Sequence, residues 1–261
     1  MRLLILWIRA AAFFLCFWTV AVVSFLATLP FSFSRRAILF ARHRLWMAPT
    51  LACLRLTCGV GYDERGVENI PDGPCIFASR HQSIFEVLYF GARFRNIVYV
   101  MKREIYWIPV LGFYMWRTGM IPLNRGRGLG ALGRLKREAR RRRGRSDRIV
   151  IFPEGTRVAP GARADFLPGF AVLAHEMGVP VVPVALNSGE LWGRRRFLKV
   201  RGCVTVSYLP AVSPELSPRE LLERVRGAIE AEAARLPAAR ADGDGDGDGD
   251  SDGDSDGDGE N

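Results

Sequence analysis

The sequence predicts an α/β protein, with a sheet covered by helices and a membrane-associated helical segment ahead of it. Three observations carry this reading. Short apolar runs alternate with helical stretches from about residue 60 onward. An apolar run of spanning length occupies residues 10–29, and the last twenty residues are almost purely Asp, Gly and Ser.

Residues 10–29 are apolar apart from Thr19, Ser24 and Thr28, and Pro30 ends the run. A spanning helix needs about 20 such residues. Arg2 and Arg9 precede it, whereas Arg35, Arg36, Arg42 and Arg44 follow. If the run spans, that excess of cations places the body of the chain on the cytoplasmic side. A cleaved signal peptide is the rival reading, but the run is long for one and no clear small-x-small site precedes the arginines. Residues 35–57 mix Leu45, Trp46, Leu51 and Leu54 with Arg42, Arg44 and Arg55. This stretch is too charged to span; it suits either a helix lying in the interface or a helix of the soluble body. Pro49 is expected to break or kink it.

Beyond Gly61 the segment Cys75-Ile76-Phe77-Ala78 reads as a buried strand leading into His81. Residues 96–101, 148–152, 179–186 and 200–209 read as further strands, and 86–91, 129–143 and 170–177 as helices. In such sheets ligand sites gather where strands hand over to loops. The tail from about Ala238 has no apolar side chain larger than alanine to offset ordering entropy, so it is expected to be disordered. No window of it has the EF-hand order of ligands.

A chain of 261 residues, 49% of them hydrophobic, has room for one domain with a sizeable core and appendages. Its formal net charge is +10, but the last twenty residues hold nine Asp and one Glu, so setting those ten acids aside leaves +20 on the rest. Nearly all of that is Arg, since Lys102, Lys136 and Lys199 are the only lysines. Such a body seeks anions: lipid headgroups, nucleic acid, or phosphorylated and CoA-like substrates. Residues 134–148 hold nine basic side chains, yet no nucleic-acid-binding motif or aromatic interleaving accompanies them. A solvated helix drawn to anionic lipid is the favoured reading, and no nucleic-acid partner is expected. The five cysteines are odd in number and lack any CxxC pair, which fits reduced thiols. His43, His81 and His175 show no ligand spacing, so no metal is expected.

The chemistry concentrates in Arg80-His81-Gln82-Ser83-Ile84-Phe85-Glu86 and Phe152-Pro153-Glu154-Gly155-Thr156-Arg157. Histidine is the commonest general base, and a nearby acid can fix its tautomer. On one continuous helix a five-residue step turns a side chain about 140° away, so His81 and Glu86 meet only if His81 lies in the loop. Ser83 to Glu86 fits the capping box S-x-x-E, with Ser83 as N-cap. Capping and catalysis at Glu86 therefore share one geometry, and these residues alone leave both readings open.

Further segments follow in order: Lys102-Arg103-Glu104-Ile105, then Gly119 to Arg125, the Phe152 to Arg157 block, and Val179-Pro180-Val181-Val182-Pro183-Val184. At these residues, over about positions 60–209, the chain resembles the 1-acylglycerol-3-phosphate acyltransferase family. The resemblance implies a glycerolipid acyltransferase fold with a mixed sheet; with the apolar N-terminal run and the Asp-Gly-Ser tail, the expected division is an anchor and interfacial helix (1–59), an acyltransferase domain (60–237) and an acidic tail (238–261). It implies His81 as the general base on a lysophospholipid hydroxyl and Glu86 as its orienting acid. It further implies Arg125 and Arg157 as cations for the glycerol phosphate, aided by Lys102, with Glu154 and Gly155 shaping the turn and Thr156 donating a hydrogen bond.

The implied partners are an acyl-CoA or acyl carrier protein thioester, a lysophospholipid and an anionic membrane surface, with no cofactor. The implied location is a bacterial-type inner membrane, with the catalytic domain facing the cytoplasm. The chain departs from the family pattern at Glu86 and Asn124, where Asp is usual, and at Leu167, where Lys is common. Two other readings stay open: the same chemistry on another lysolipid such as a lyso-ornithine lipid, and a non-catalytic lipid-binding protein.

Overall fold

The structure, a computed structural model, describes residues 2–31, 36–108, 111–123, 128–145 and 147–239. Among these residues seven strands form one mixed sheet: β1 (Val60–Arg65), β2 (Ile76–Ser79), β3 (Ile97–Lys102), β4 (Ile121–Leu123), β5 (Arg148–Ile151), β6 (Val181–Leu186) and β7 (Gly202–Tyr208). Their spatial order is β1-β7-β6-β2-β5-β3-β4. Every pair is parallel except β6 with β7, where Val184 faces Tyr208 in an antiparallel register. Strands β2 and β6 are buried along their whole length, as interior parallel strands covered on both faces must be.

Among the described residues, seven α-helices pack around the sheet: α1 (Arg2–Thr28), α2 (Arg36–Cys58), α3 (Phe85–Arg93), α4 (Leu111–Thr118), α5 (Gly128–Arg142), α6 (Gly169–Met177) and α7 (Pro218–Ala233). Helices α1, α2 and α3 pack side by side with α4 against α2, and α5, α6 and α7 form a second row. One apolar core runs through the described residues from Phe13 on α1 to Ala239. Gly91 of α3 lies where α2 presses closest: a Cβ there would sit 1.8 Å from the Met47 sulfur. Tyr89, on the same helix, bonds the Tyr208 hydroxyl at 2.6 Å and Glu64, tying α3 to both β7 and β1.

Helix α1 is apolar and long enough to cross a membrane, yet it runs antiparallel to α2 along its length. The Arg9 Nε donates to the Thr57 carbonyl at 2.8 Å near one end, and the Ser24 hydroxyl donates to the Leu45 carbonyl at 3.3 Å nearer the other. The second bond bears on Pro49. The expected break there does not occur: α2 continues through it. Proline removes the N–H that would bond the carbonyl four residues back, which is that of Leu45, and Ser24 takes its place.

Helix α2 buries Leu39, Met47, Leu51, Leu54 and Cys58, so it is a helix of the body on that face while Leu45 and Leu56 stay exposed. Lys199 fastens α1 from the other side. Its Nζ lies 3.9 to 5.3 Å from the rings of Phe13, Phe14, Trp192 and Phe197 and donates to the Phe197 carbonyl at 2.6 Å. The acidic tail beyond residue 239 and the loop carrying Arg125 lie outside the described residues.

Candidate active site

Strand β2 is central, with β6 on one side and β5 on the other, and all three run in the same direction. The loops leaving their C-terminal ends therefore meet. From β2 comes the His81 loop; from β5, the turn starting at Phe152; from β6, the short turn Ser188–Glu190. The Val158 amide donates to the His81 carbonyl at 2.8 Å, fastening the first two loops together. The His81 ring stacks on Phe152 with centroids 4.0 Å apart and planes 16° from parallel. That stacking leaves the imidazole part-exposed with its plane fixed.

His81 lies outside the helix, as the spacing requires, and its Nδ1 is 3.8 Å from Glu86 Oε2. Nδ1 is buried and makes no hydrogen bond among the described residues. Glu86 is fully buried. It accepts from Gln82 N at 2.8 Å, from Ser83 N at 3.0 and 3.1 Å, and from the Ser188 hydroxyl at 2.7 Å.

The expected capping box forms only in half. Glu86 does take the Ser83 amide, but the Ser83 hydroxyl accepts from Phe85 N at 3.2 Å instead of from Glu86 N. Helix α3 starts one residue late, at Phe85, with Ile84 rather than Ser83 as its N-cap. The reason is the tight loop: Ser83 and Gln82 both point their amides back onto Glu86, and a Ser hydroxyl two residues before Phe85 closes a local turn more readily.

The second motif is a turn closed by the Gly155 amide on the Phe152 carbonyl at 3.0 Å, with Pro153 in its first corner. Gly155 has φ +67°, where a side chain would be strained and its Cβ would lie 2.9 Å from Leu167. This turn carries Glu154 inward. Its Oε1 accepts from His81 N at 3.4 Å and lies 3.9 Å from Arg80 Nε, and its Oε2 is buried without a hydrogen-bond partner among the described residues. Burial raises the Glu154 carboxyl to about 7, against the pull of backbone hydrogen bonds and Arg80.

Of the residues singled out from sequence, His81, Glu86, Glu154 and Gly155 are thus drawn together. Thr156 is exposed and Arg157 half-exposed on the adjoining strip, two residues and one residue before Val158 respectively. Lys102 ends β3, two strands from β2, a lateral distance of roughly 10 Å at ordinary strand spacing. Sequence reasoning missed Ser188, which lies in no motif, and Gln82, whose side-chain Oε1 accepts from Gly189 N at 3.0 Å and holds the β6 turn against the histidine loop. The one available signal for Ser188 was its place just past the end of a buried parallel strand.

A histidine facing a buried acid thus lies at the C-terminal ends of the parallel strands of a mixed α/β sheet, and residues 62–187 match the Acyltransferase family. A 1-acyl-sn-glycerol-3-phosphate acyltransferase of Pseudomonas aeruginosa is 32% identical over 198 residues, which cover 75% of each chain. A chloroplastic 1-acyl-sn-glycerol-3-phosphate acyltransferase of Brassica napus is 32% identical over 66% of this chain, and the chain spans about half of that relative's length, 52%. The crystal structure of the 1-acyl-sn-glycerophosphate (LPA) acyltransferase PlsC from Thermotoga maritima shares the fold, with a TM-score of 0.72 at 23% identity over 88% of this chain and 96% of that one. The chain belongs to the 1-acyl-sn-glycerol-3-phosphate acyltransferase family.

Proposed function

We propose that this enzyme moves a fatty acyl group from an acyl-CoA or acyl carrier protein thioester to the sn-2 hydroxyl of 1-acyl-glycerol-3-phosphate, giving phosphatidate. The observation that carries the reading is His81, part-exposed on its outer side and facing a fully buried carboxylate on its inner side. His81 Nε2 takes the hydroxyl proton as the oxygen attacks the thioester carbonyl, and the imidazolium that forms is stabilised by Glu86. The tetrahedral adduct collapses with cleavage of the C–S bond, and the proton passes from His81 to the leaving thiolate. Hydroxyl and thioester become ester and thiol, with no oxidant, metal or acyl-enzyme required.

Arg157, on the strip that bonds the His81 loop, is assigned to the acceptor phosphate, together with Arg125 and Lys102; a guanidinium suits a phosphate through paired N–H donors. The Phe152 to Arg157 turn, with Glu154, Gly155 and Thr156, shapes that side of the site. The acceptor is an amphiphile held in a bilayer. An exposed apolar α1 lying along the body fits work at a membrane surface, which we place at the cytoplasmic face of the inner membrane.

The test is acyl transfer in detergent or vesicles, with lysophosphatidate and each donor in turn, on wild type and His81→Ala. The expected result is phosphatidate formation that falls by orders of magnitude in the variant while acceptor binding persists. Equal turnover in both proteins overturns the assignment of the base; activity only on another lysolipid overturns the acceptor.

A further inference from the structure

Outside the site, the described surface holds an apolar patch that acyl transfer does not use. The segment between β3 and β4 leaves Trp107 74%, Trp116 64% and Ile108 49% exposed, with Leu111 and Phe113 above a third. Two exposed tryptophans within ten residues are unusual on a water-facing surface, and the indole ring, apolar with one donor, is the side chain enriched at the level of lipid headgroups.

The patch borders a cavity of about 520 Å³ between this segment and α5, whose lining includes Trp107 and Trp116 together with Arg103, Arg134 and Arg141. Its one carboxylate, Glu138, is already engaged by Arg141 and Arg142 at 3.5 and 3.6 Å. The cavity therefore offers net positive charge beside the aromatic rings. Its neighbourhood also matters. The Tyr114 hydroxyl of α4 donates to the Leu39 carbonyl of α2 at 2.5 Å, which places α4 beside the end of α2 that receives the chain from α1. The second half of α1, with Val22, Val23, Phe25 and Leu26 exposed, reaches that same end.

We propose that the Trp107–Trp116 patch is a second bilayer contact, in which the tryptophans enter the interface and Arg103, Arg134 and Arg141 take the phosphates of anionic phospholipids. It rests on the membrane-surface reading above, and it adds a specific face: two contacts, on α1 and on the α4 segment that also packs against α2, fix the tilt of the domain on the bilayer, where α1 alone would leave it free to rotate about the helix axis. An acidic protein such as a carrier-protein donor would find the arginines equally attractive, but not a protruding pair of indoles beside an apolar helix face, so the bilayer is favoured.

The experiment uses the full chain and vesicles of phosphatidylcholine with or without phosphatidylglycerol. Emission lost in Trp107→Phe/Trp116→Phe relative to wild type reports the two indoles, and brominated lipid in anionic vesicles is expected to quench it. Arg103→Ala/Arg134→Ala/Arg141→Ala is expected to weaken partitioning onto anionic vesicles by roughly fivefold per arginine, on the order of a hundredfold in all, with little change on neutral ones. Its turnover of a detergent-dispersed acceptor should match wild type, which separates this proposal from the acyl-transfer reading. Unquenched difference emission overturns the proposal. So does unchanged vesicle partitioning accompanied by loss of salt-sensitive carrier-protein binding, which would assign the face to that protein.

Discussion

Replacing Glu86 by Gln separates its two candidate duties, capping and catalysis, because it keeps size and hydrogen-bonding shape while removing charge. The Glu86 carboxylate lies 3.8 Å from His81 Nδ1. At an effective dielectric of about 20, a unit charge at that distance favours the imidazolium by about 4 kcal/mol, or roughly a thousandfold in rate if all of it is expressed in the transition state. The amide also misdirects the ring. Its oxygen will be drawn to Gln82 N and the Ser188 hydroxyl, which turns its NH2 toward Nδ1 and favours the wrong tautomer. Stability should suffer less: two backbone donors keep a partner, and the loss is about 1–2 kcal/mol. In a domain of this size that is a fall in Tm of several degrees. The assay is kcat and KM for lysophosphatidate alongside a thermal melt, with a fall in kcat of two to three orders and KM nearly unchanged. A variant with a lowered Tm but kcat within threefold of wild type would show a capping residue and refute the orienting role.

Two further perturbations follow from the same geometry. Ser188→Ala removes the 2.7 Å donor on Glu86; kcat should fall about tenfold with KM unchanged, and the pH profile of kcat should shift, whereas a merely structural serine would change only Tm. Glu154→Gln tests the buried carboxyl, which titrates near 7 in the folded chain against 4.5 for the free group. The folded state holds that proton more tightly than the unfolded chain does, so stability falls as pH rises from about 4.5 and the loss is complete above about 7, at most about 3 kcal/mol. The glutamine variant lacks this fall, and its Tm advantage over wild type should grow between about pH 5 and pH 8 in thermal melts; parallel curves would refute the shift.

What the sequence disclosed and what it hid divide along local and non-local lines. Strands β2, β3, β5, β6 and β7 announced themselves as apolar runs because interior parallel strands are buried on both faces. β1 did not: Val60–Arg65 is polar and largely exposed, and becomes a strand only by pairing with β7, some 140 residues later. β4 has three residues and no period to read. Pro49 was a sound reason to expect a broken helix, and the compensation came from Ser24 on another helix. At the site, the spacing and the Ser83 capping pattern pointed to His81 outside the helix and Glu86 within its first turn as the arrangement in which the two could meet, whereas the start of α3 depended on which of several nearby amides each oxygen would take. Ser188 carried no local signal, since its role arises only because β6 lies beside β2.

That adjacency also explains why Glu in place of Asp is compatible with the fold. The longer side chain reaches past the histidine loop as far as the β6 turn, and there the Ser188 hydroxyl holds one oxygen while the Ser83 amide holds both. A shorter carboxylate anchored at the same Cα would have to give up either the serine or the approach to Nδ1. The extra methylene is therefore matched by an extra donor, and the pair should be coupled: Glu86→Asp and Ser188→Ala together should cost less in kcat than the product of the two single losses. Strict multiplicativity in that double-mutant cycle would mean that Ser188 and the length of residue 86 act independently, and the matching would have to be abandoned.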